Sequence, residues 1–157
     1  MRSKICLLLA FCCFAAHAAD PESSKPVTAS FTVIPQKIAP GKSADLLVTV
    51  RVLPTYHIYG LNKSGSENTP TTLQLQLPKG MKLKGDWKAP EPKKGKGKSR
   101  IYEEGVVFRG TLALGKSVAP GKHTIKCEME YQVCDEELCW PPAKLDLATE
   151  IEVVASK

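Results

Sequence analysis

The sequence contains few aromatic residues and few histidines, and these shortages exclude two classes of function. Aromatic side chains make up 6% of the 157 residues and are not interleaved with the lysines and arginines. Nucleic-acid-binding surfaces usually cluster basic residues on one face or stripe, so we expect no nucleic-acid partner despite the formal net charge of +6. The three histidines are too few and too far from the cysteines in sequence to predict a zinc site. We expect neither a bound cofactor nor a metal centre.

Only one long apolar run is present, at residues 5–16, and it follows a start that contains Arg2 and Lys4. The small residue Ala16 ends this run, and a second small residue, Ala18, follows two positions later. This order is typical of a secretory signal peptide, and the run is too short to cross a bilayer, which needs about 20 residues. We therefore predict a signal peptide at residues 1–18, cleaved near Ala18, and a periplasmic or secreted protein.

The rest of the chain is long enough for one domain with a real core. Residues 19–26 form a polar leader that we expect to be disordered, and residues 27–157 form the domain. No later apolar run has membrane length, so we expect no membrane span in the mature chain.

Six segments after the leader are predicted to be β-strands, most of them by strict alternation of apolar and polar residues. They cover residues 28–34, 43–52, 72–77, 106–114, 124–133 and 145–153. Turn-forming proline and glycine lie between them, and helix signals are scarce. The pattern predicts an all-β protein, an antiparallel β-sandwich.

Two other segments call for an interpretation. Residues 88–100 are rich in Lys, Pro and Gly and have no apolar period, so we predict a long mobile loop that is either a solvated connector or a cover for a site. Residues 110–117, GTLALGKS, satisfy a phosphate-binding loop pattern. That pattern needs a preceding strand and a following helix, whereas here its interior is itself an alternating strand, so we interpret the match as a coincidence.

Three of the six cysteines lie within the predicted signal peptide and would be removed with it. The three that stay in the domain are Cys127, Cys134 and Cys139. In an oxidising compartment a close pair tends to be bridged or redox-active. Four residues separate Cys134 from Cys139, and closing so short a loop stabilises a fold only weakly. This favours a disulfide that is reduced and re-formed in function over a structural one. Cys127 lies on the apolar face of its strand, which predicts a buried, inert thiol.

The segment YQVCDEELCWPP at residues 131–142 resembles the active-site segment of the N-terminal domain of the thiol:disulfide interchange protein DsbD. The segments at residues 56–59 and 97–102 resemble the family's paired-tyrosine segment and the segment after its cap loop. The resemblance extends from about residue 27 to 153. It implies an immunoglobulin-like β-sandwich with protein-disulfide reductase activity, which relays electrons between thioredoxin-like proteins as donor and acceptor.

Site residues follow from the same resemblance. Cys139 is expected to form the mixed disulfide with a partner, and Cys134 to resolve it. Four aromatic residues are expected to support the pair: Tyr56, Tyr59, Tyr131 and Trp140.

Two alternatives to a relay remain at this point. The first is a non-catalytic binding module whose short disulfide shapes a loop, and the second is a copper-handling domain that binds Cu(I) through the two cysteines. The acidic residues between the cysteines, Asp135, Glu136 and Glu137, disfavour a thiolate. Because the thiolate is the nucleophile, we expect a free dithiol that reacts slowly with small disulfides and well only when a partner is docked.

Overall fold

The computed structural model describes residues 25–61 and 68–155. Within these ranges the regular structure is all strand, and no helix is long and apolar enough to cross a membrane. The predicted signal peptide and almost all of the predicted leader lie outside the described residues. The strands are β1 Val27–Ile34, β2 Lys37–Ile38, β3 Ser43–Val52, β4 His57–Tyr59, β5 Thr72–Gln76, β6 Met81–Leu83, β7 Lys93–Lys94, β8 Arg100–Glu103, β9 Gly105–Leu114, β10 Gly121–Tyr131, β11 Val133–Cys134 and β12 Ala143–Val153.

Two sheets make the sandwich. One has the strand order β1-β3-β9-β6 and the other β2-β12-β10-β5, and every pairing is antiparallel except that of β2 with β12. Crossovers between sequence-distant strands, such as β3 beside β9, give the immunoglobulin-like topology. The predicted fold class is therefore confirmed.

The core follows the alternation of the sequence. On β3, every second residue from Ala44 to Val52 is buried, and on β9 the same holds from Val106 to Leu114. The inward residues of β10, among them Ile125 and Met129, are completely buried against this layer. The hydrophobic effect over this continuous core is the main force that holds the two sheets together.

A third, smaller sheet, with the order β11-β4-β8-β7, carries the cysteine segment. The sequence predicted a single strand over residues 124–133, and this is wrong at its end. β10 stops at Tyr131, and after Gln132 the chain leaves the sandwich sheet to pair with β4 as β11. Alternation alone does not show that a strand changes its partner, because the apolar period continues through Val133.

The prediction of an irregular loop over residues 88–100 is also wrong in part. Lys93 and Lys94 pair with β8, and the backbones of Lys88 and Arg109 bond to each other in both directions, at N–O distances of 2.7 and 2.8 Å. Strand pairing uses backbone groups, so a segment without apolar side chains can still join a sheet edge. The interpretation of the interior of the segment at residues 110–117 as a strand is confirmed, since β9 continues to Leu114.

Candidate redox site

The small sheet has two chemically different faces. Val133, Ile58 and Tyr102 are cross-strand partners in one row across three strands, and all three are buried in the main core. Because side chains alternate between faces, the neighbouring residues point the other way. That outer face carries Cys134, His57 and Glu103 in one row and Tyr59 and Ile101 in the next. The core-facing row thus fixes the position of the outer, polar row.

A tight hairpin brings the two cysteines together. The amide of Asp135 donates to the carbonyl of Leu138 (2.9 Å), and the amide of Trp140 donates to the carbonyl of Val133 (3.0 Å). These bonds flank Cys134 and Cys139 as a non-hydrogen-bonded antiparallel pair, the arrangement in which side chains come closest. Their Cα atoms lie 4.0 Å apart, and the two sulfurs are joined in a disulfide.

The turn between the cysteines is fixed by its first acidic residue. The Oδ1 atom of Asp135 accepts hydrogen bonds from the amides of Glu137 (2.8 Å) and Leu138 (2.7 Å). These bonds to the backbone lower the pKa of the Asp135 carboxyl below its ordinary value. Asp135 is therefore ionised at neutral pH and places a fixed negative charge beside Cys134.

The two cysteine residues differ in exposure. Cys134 is 1% exposed and packs with Tyr59 and Ile101, whereas Cys139 is exposed, next to a Leu138 side chain that is 58% exposed. An incoming thiolate must approach along the S–S axis of the bond it breaks. Cys139 is therefore the more accessible residue of the pair.

The Tyr59 side chain places a polar group against the disulfide. Its hydroxyl lies 3.2 Å from Sγ of Cys134 and 3.7 Å from Sγ of Cys139. Burial raises the pKa of Tyr59, so the phenol keeps its proton and can donate it to a thiolate in a hydrogen bond. The hydroxyl of Thr71 donates to the carbonyl of Tyr59, which anchors the end of β4 at this point.

A cleft of about 520 Å³ opens beside the disulfide, and its walls carry opposite charges. One wall is the acidic turn, and the other is the lysine-rich segment with Lys94 and Lys96. The Nζ atom of Lys96 donates to the carbonyl of Glu136 across the cleft (3.0 Å). Ser99 closes the turn beneath it, with its hydroxyl donating to the carbonyl of Lys96 (2.7 Å). The lysine-rich segment therefore lies against the site and is more than a solvated connector.

The structure brings some of the predicted supporting aromatics to the site. Tyr59 contacts both sulfurs, as described, and Tyr56 packs on Trp140, the residue after Cys139, with 5.5 Å between ring centroids. Tyr131 instead lies in the sandwich core, apart from the cluster of Cys134 with Tyr59 and Ile101. The reason is its place at the end of β10, where the period of the strand turns it inward.

Sequence reasoning missed several residues of the site. His57 and Glu103 lie in the same row as Cys134, and Ile101 packs against Cys134. Gln132 connects three segments, because its side chain accepts from the amide of Thr69 (2.9 Å) and donates to the carbonyl of Trp140 (3.1 Å). The alternation of β4 was the available signal, since it puts His57 on the same face as Tyr59.

Cys127, the third thiol, lies in the core between Leu75 and Leu147 and is 1% exposed. Burial raises its pKa to about 11. Because the folded-state pKa lies above the ordinary value of 9.0, this thiol contributes stability below pH 9 that is lost as the pH rises from 9 through about 11.

We expect iodoacetamide at pH 8 to leave Cys127 unmodified in the native domain and to alkylate it in urea, as measured by mass spectrometry. Rapid native alkylation would contradict the burial.

Comparison with known proteins gives one family and several similar folds. The sequence profile of the family "Thiol:disulfide interchange protein DsbD, N-terminal" matches residues 25–150. No curated protein matches the sequence.

Among solved structures, the N-terminal periplasmic domain of ScsB from Proteus mirabilis is similar, with a TM-score of 0.55 and 14% identity over 87% of this chain and 49% of that one. This chain thus spans about half the length of the ScsB structure, and at that identity the likeness concerns the fold alone. The reduced DsbD N-terminal domain of Neisseria meningitidis has a TM-score of 0.48 and 17% identity, over 85% of this chain and 90% of that one. A complex of the DsbD and PilB N-terminal domains from the same organism has a TM-score of 0.49 and 15% identity, over 85% of this chain and 88% of that one.

Proposed function

We propose, because the chain belongs to the family of DsbD N-terminal domains, that it exchanges thiols and disulfides with thioredoxin-like proteins through Cys134 and Cys139. In this role it takes two electrons from one thioredoxin-like dithiol and passes them to the disulfide of another, as a protein-disulfide reductase component. We place it in the periplasm, in keeping with the signal pattern at residues 1–18.

The observation that carries the proposal is the unequal exposure of the two cysteine residues. Electron uptake begins when a partner thiolate attacks Sγ of the exposed Cys139. The Cys134–Cys139 bond breaks, and Cys134 leaves as a thiolate beside the Tyr59 hydroxyl. The second partner thiol then attacks the partner's own sulfur in the mixed disulfide, which releases the partner as a disulfide and the domain as a dithiol. Two electrons and two protons have moved to the domain.

Electron delivery is the reverse sequence. The Cys139 thiolate attacks an acceptor disulfide, and Cys134 then attacks Sγ of Cys139 and expels the acceptor as a dithiol. The acidic turn is expected to make the free dithiol react slowly with small disulfides, because negative charge beside a thiol disfavours the thiolate. A docked protein partner that presents basic groups to Asp135 and Glu136 removes this obstacle.

The test compares two reductants of the oxidised domain. Reduced thioredoxin is expected to reduce the Cys134–Cys139 bond much faster than reduced glutathione at the same thiol concentration, followed by thiol trapping and mass spectrometry at neutral pH. The Cys139→Ser variant, which has no such bond, is the blank and should consume no reductant. Equally slow reduction by both reagents would count against a relay and in favour of a binding module with a structural disulfide.

A further inference from the structure

A row of three polar residues crosses the outer face of the small sheet. His57 on β4 has Cys134 of β11 as its cross-strand partner on one side and Glu103 of β8 on the other. Directly opposed residues in a sheet point to the same face, with Cβ atoms about 4.5–5.5 Å apart. His57 therefore stands between a thiol and a carboxylate, and both His57 and Cys134 line the same cleft.

The position of His57 is tightly defined. Its neighbour Ile58 is completely buried in the main core, which prevents β4 from turning over. The imidazole meets the Tyr59 ring edge-on, with centroids 5.6 Å apart and planes at 89°. The hydroxyl of Tyr59 is the group that contacts both sulfurs. His57 and Tyr59 thus lie on the same face of β4, where Tyr59 contacts the Cys134 sulfur and His57 is the cross-strand partner of Cys134.

Charged groups surround the imidazole from each element packed against it. Glu103 comes from β8, Lys96 from the lysine-rich segment and Asp135 from the cysteine turn, while Lys93 binds Glu103 at 2.7 Å. Burial is the largest cause of the lowered pKa of His57, and Lys96 lowers it further against the opposite effects of Glu103 and Asp135. A neutral imidazole at pH 7 can accept a proton, which is the requirement for a general base.

We propose that His57 is the base that deprotonates Cys134 in the resolving step, and that Glu103 orients and stabilises the protonated imidazole. This rests on the proposed exchange function. After Cys139 has formed a mixed disulfide with an acceptor, His57 takes the proton from the Cys134 thiol. The Cys134 thiolate attacks Sγ of Cys139, the Cys134–Cys139 bond forms, and the acceptor leaves as a thiolate that recovers the proton from the imidazolium through water. The combination of a thiol, an imidazole and a carboxylate is one that activates thiol nucleophiles elsewhere.

The experiment separates the two chemical steps with oxidised glutathione as the acceptor. The reduced domain is mixed with it between pH 5 and 8, the reaction is quenched with acid, and the glutathione adduct on Cys139 is measured by mass spectrometry over time. In His57→Gln we expect resolution of the adduct to slow about 100-fold at pH 7, at the low end of what a general base contributes. Formation of the adduct, which depends on Cys139, should be unchanged.

The pH profile identifies the base. The wild-type resolution rate should fall as the pH drops through the His57 pKa, which lies below 6.5, and His57→Gln should lack this inflection. Glu103→Gln removes a charge that raises the pKa of His57, so its inflection should move to lower pH. His123→Gln is the matched control, because His123 is a half-buried residue of β10 in the sandwich, outside the small sheet, and bonds the carbonyl of Ala119; it should behave like the wild type.

The outcomes are distinguishable. If His57→Gln, with native circular dichroism, resolves the adduct at the wild-type rate throughout the pH range, the role of His57 is refuted while the exchange function stands. If the reduced wild-type domain, given an oxidised thioredoxin-like protein in place of glutathione, forms neither a mixed disulfide on Cys139 nor a new Cys134–Cys139 bond, both the exchange function and the role of His57 are refuted. Loss of the inflection in His57→Gln with retention in His123→Gln supports the proposal.

Discussion

The Cys134→Ser variant is expected to turn a transient exchange intermediate into a stable covalent complex. Its Cys139 is first activated as a mixed disulfide with thionitrobenzoate, and a thioredoxin whose second active-site cysteine is serine is then added. The thioredoxin thiolate should attack Sγ of the exposed Cys139 and expel the coloured thiol. With no second thiol near the bond, the complex should persist for roughly minutes to hours, the timescale of uncatalysed disulfide rearrangement. Absorbance and non-reducing electrophoresis measure the two products.

Cys139→Ser is the matched control for this result, because of the disulfide pair it keeps only Cys134, which is 1% exposed, and the remaining thiol, Cys127, is 1% exposed as well. It should take up the thionitrobenzoate label poorly and form no complex with the same thioredoxin. If the two variants formed complexes at equal rates, the sulfurs would not differ in access, and the assignment of Cys139 as the attacked atom would be wrong.

Phe108→Ala should cause the largest loss of stability. Phe108 is completely buried at the centre of β9, and its ring meets the Tyr102 ring edge-on with centroids 5.8 Å apart. Truncating a buried phenylalanine costs about 3–5 kcal/mol, a large part of the roughly 5–15 kcal/mol that holds such a domain folded. Because Tyr102 is on β8, the same cavity should loosen the attachment of the small sheet to the sandwich. Urea denaturation followed by tryptophan fluorescence measures the free energy of unfolding.

Val107→Ala serves as the comparison, since Val107 is adjacent in sequence but lies half-buried on the other face of β9. We expect it to cost about 1 kcal/mol or less, as is usual for positions outside the core. Similar losses of unfolding free energy in both variants would show that the core-facing residues of β9 contribute no more to stability than those on its other face.

The sandwich could be predicted from sequence because its long strands alternate strictly. On β3 and β9 the apolar residues of the pattern are the buried residues of the structure. Period two is a local signal, and it suffices wherever one face of a strand meets the core and the other meets solvent.

The site was harder to predict because it depends on pairings between short strands. No local sequence pattern in residues 57–59 or 133–134 indicates that these segments pair, or that Glu103 joins the same row. The resemblance identified Cys134, Cys139 and Tyr59, yet His57 entered the sequence reasoning only as a poor zinc ligand. Tyr131 was expected to support the disulfide because of the resemblance, and the shift from β10 to β11 at Gln132 separates it from the cysteine face.

The reduction potential of the Cys134–Cys139 bond tests the central claim most directly. The domain is equilibrated in glutathione and dithiothreitol buffers of graded potential, and its free thiols are trapped and counted by mass spectrometry. A relay requires a value within the range of known exchange catalysts, roughly −120 to −270 mV, and we predict a value in that window. A value below about −300 mV, where structural disulfides lie, would contradict the account and identify the bond as a fixed clip in a binding module.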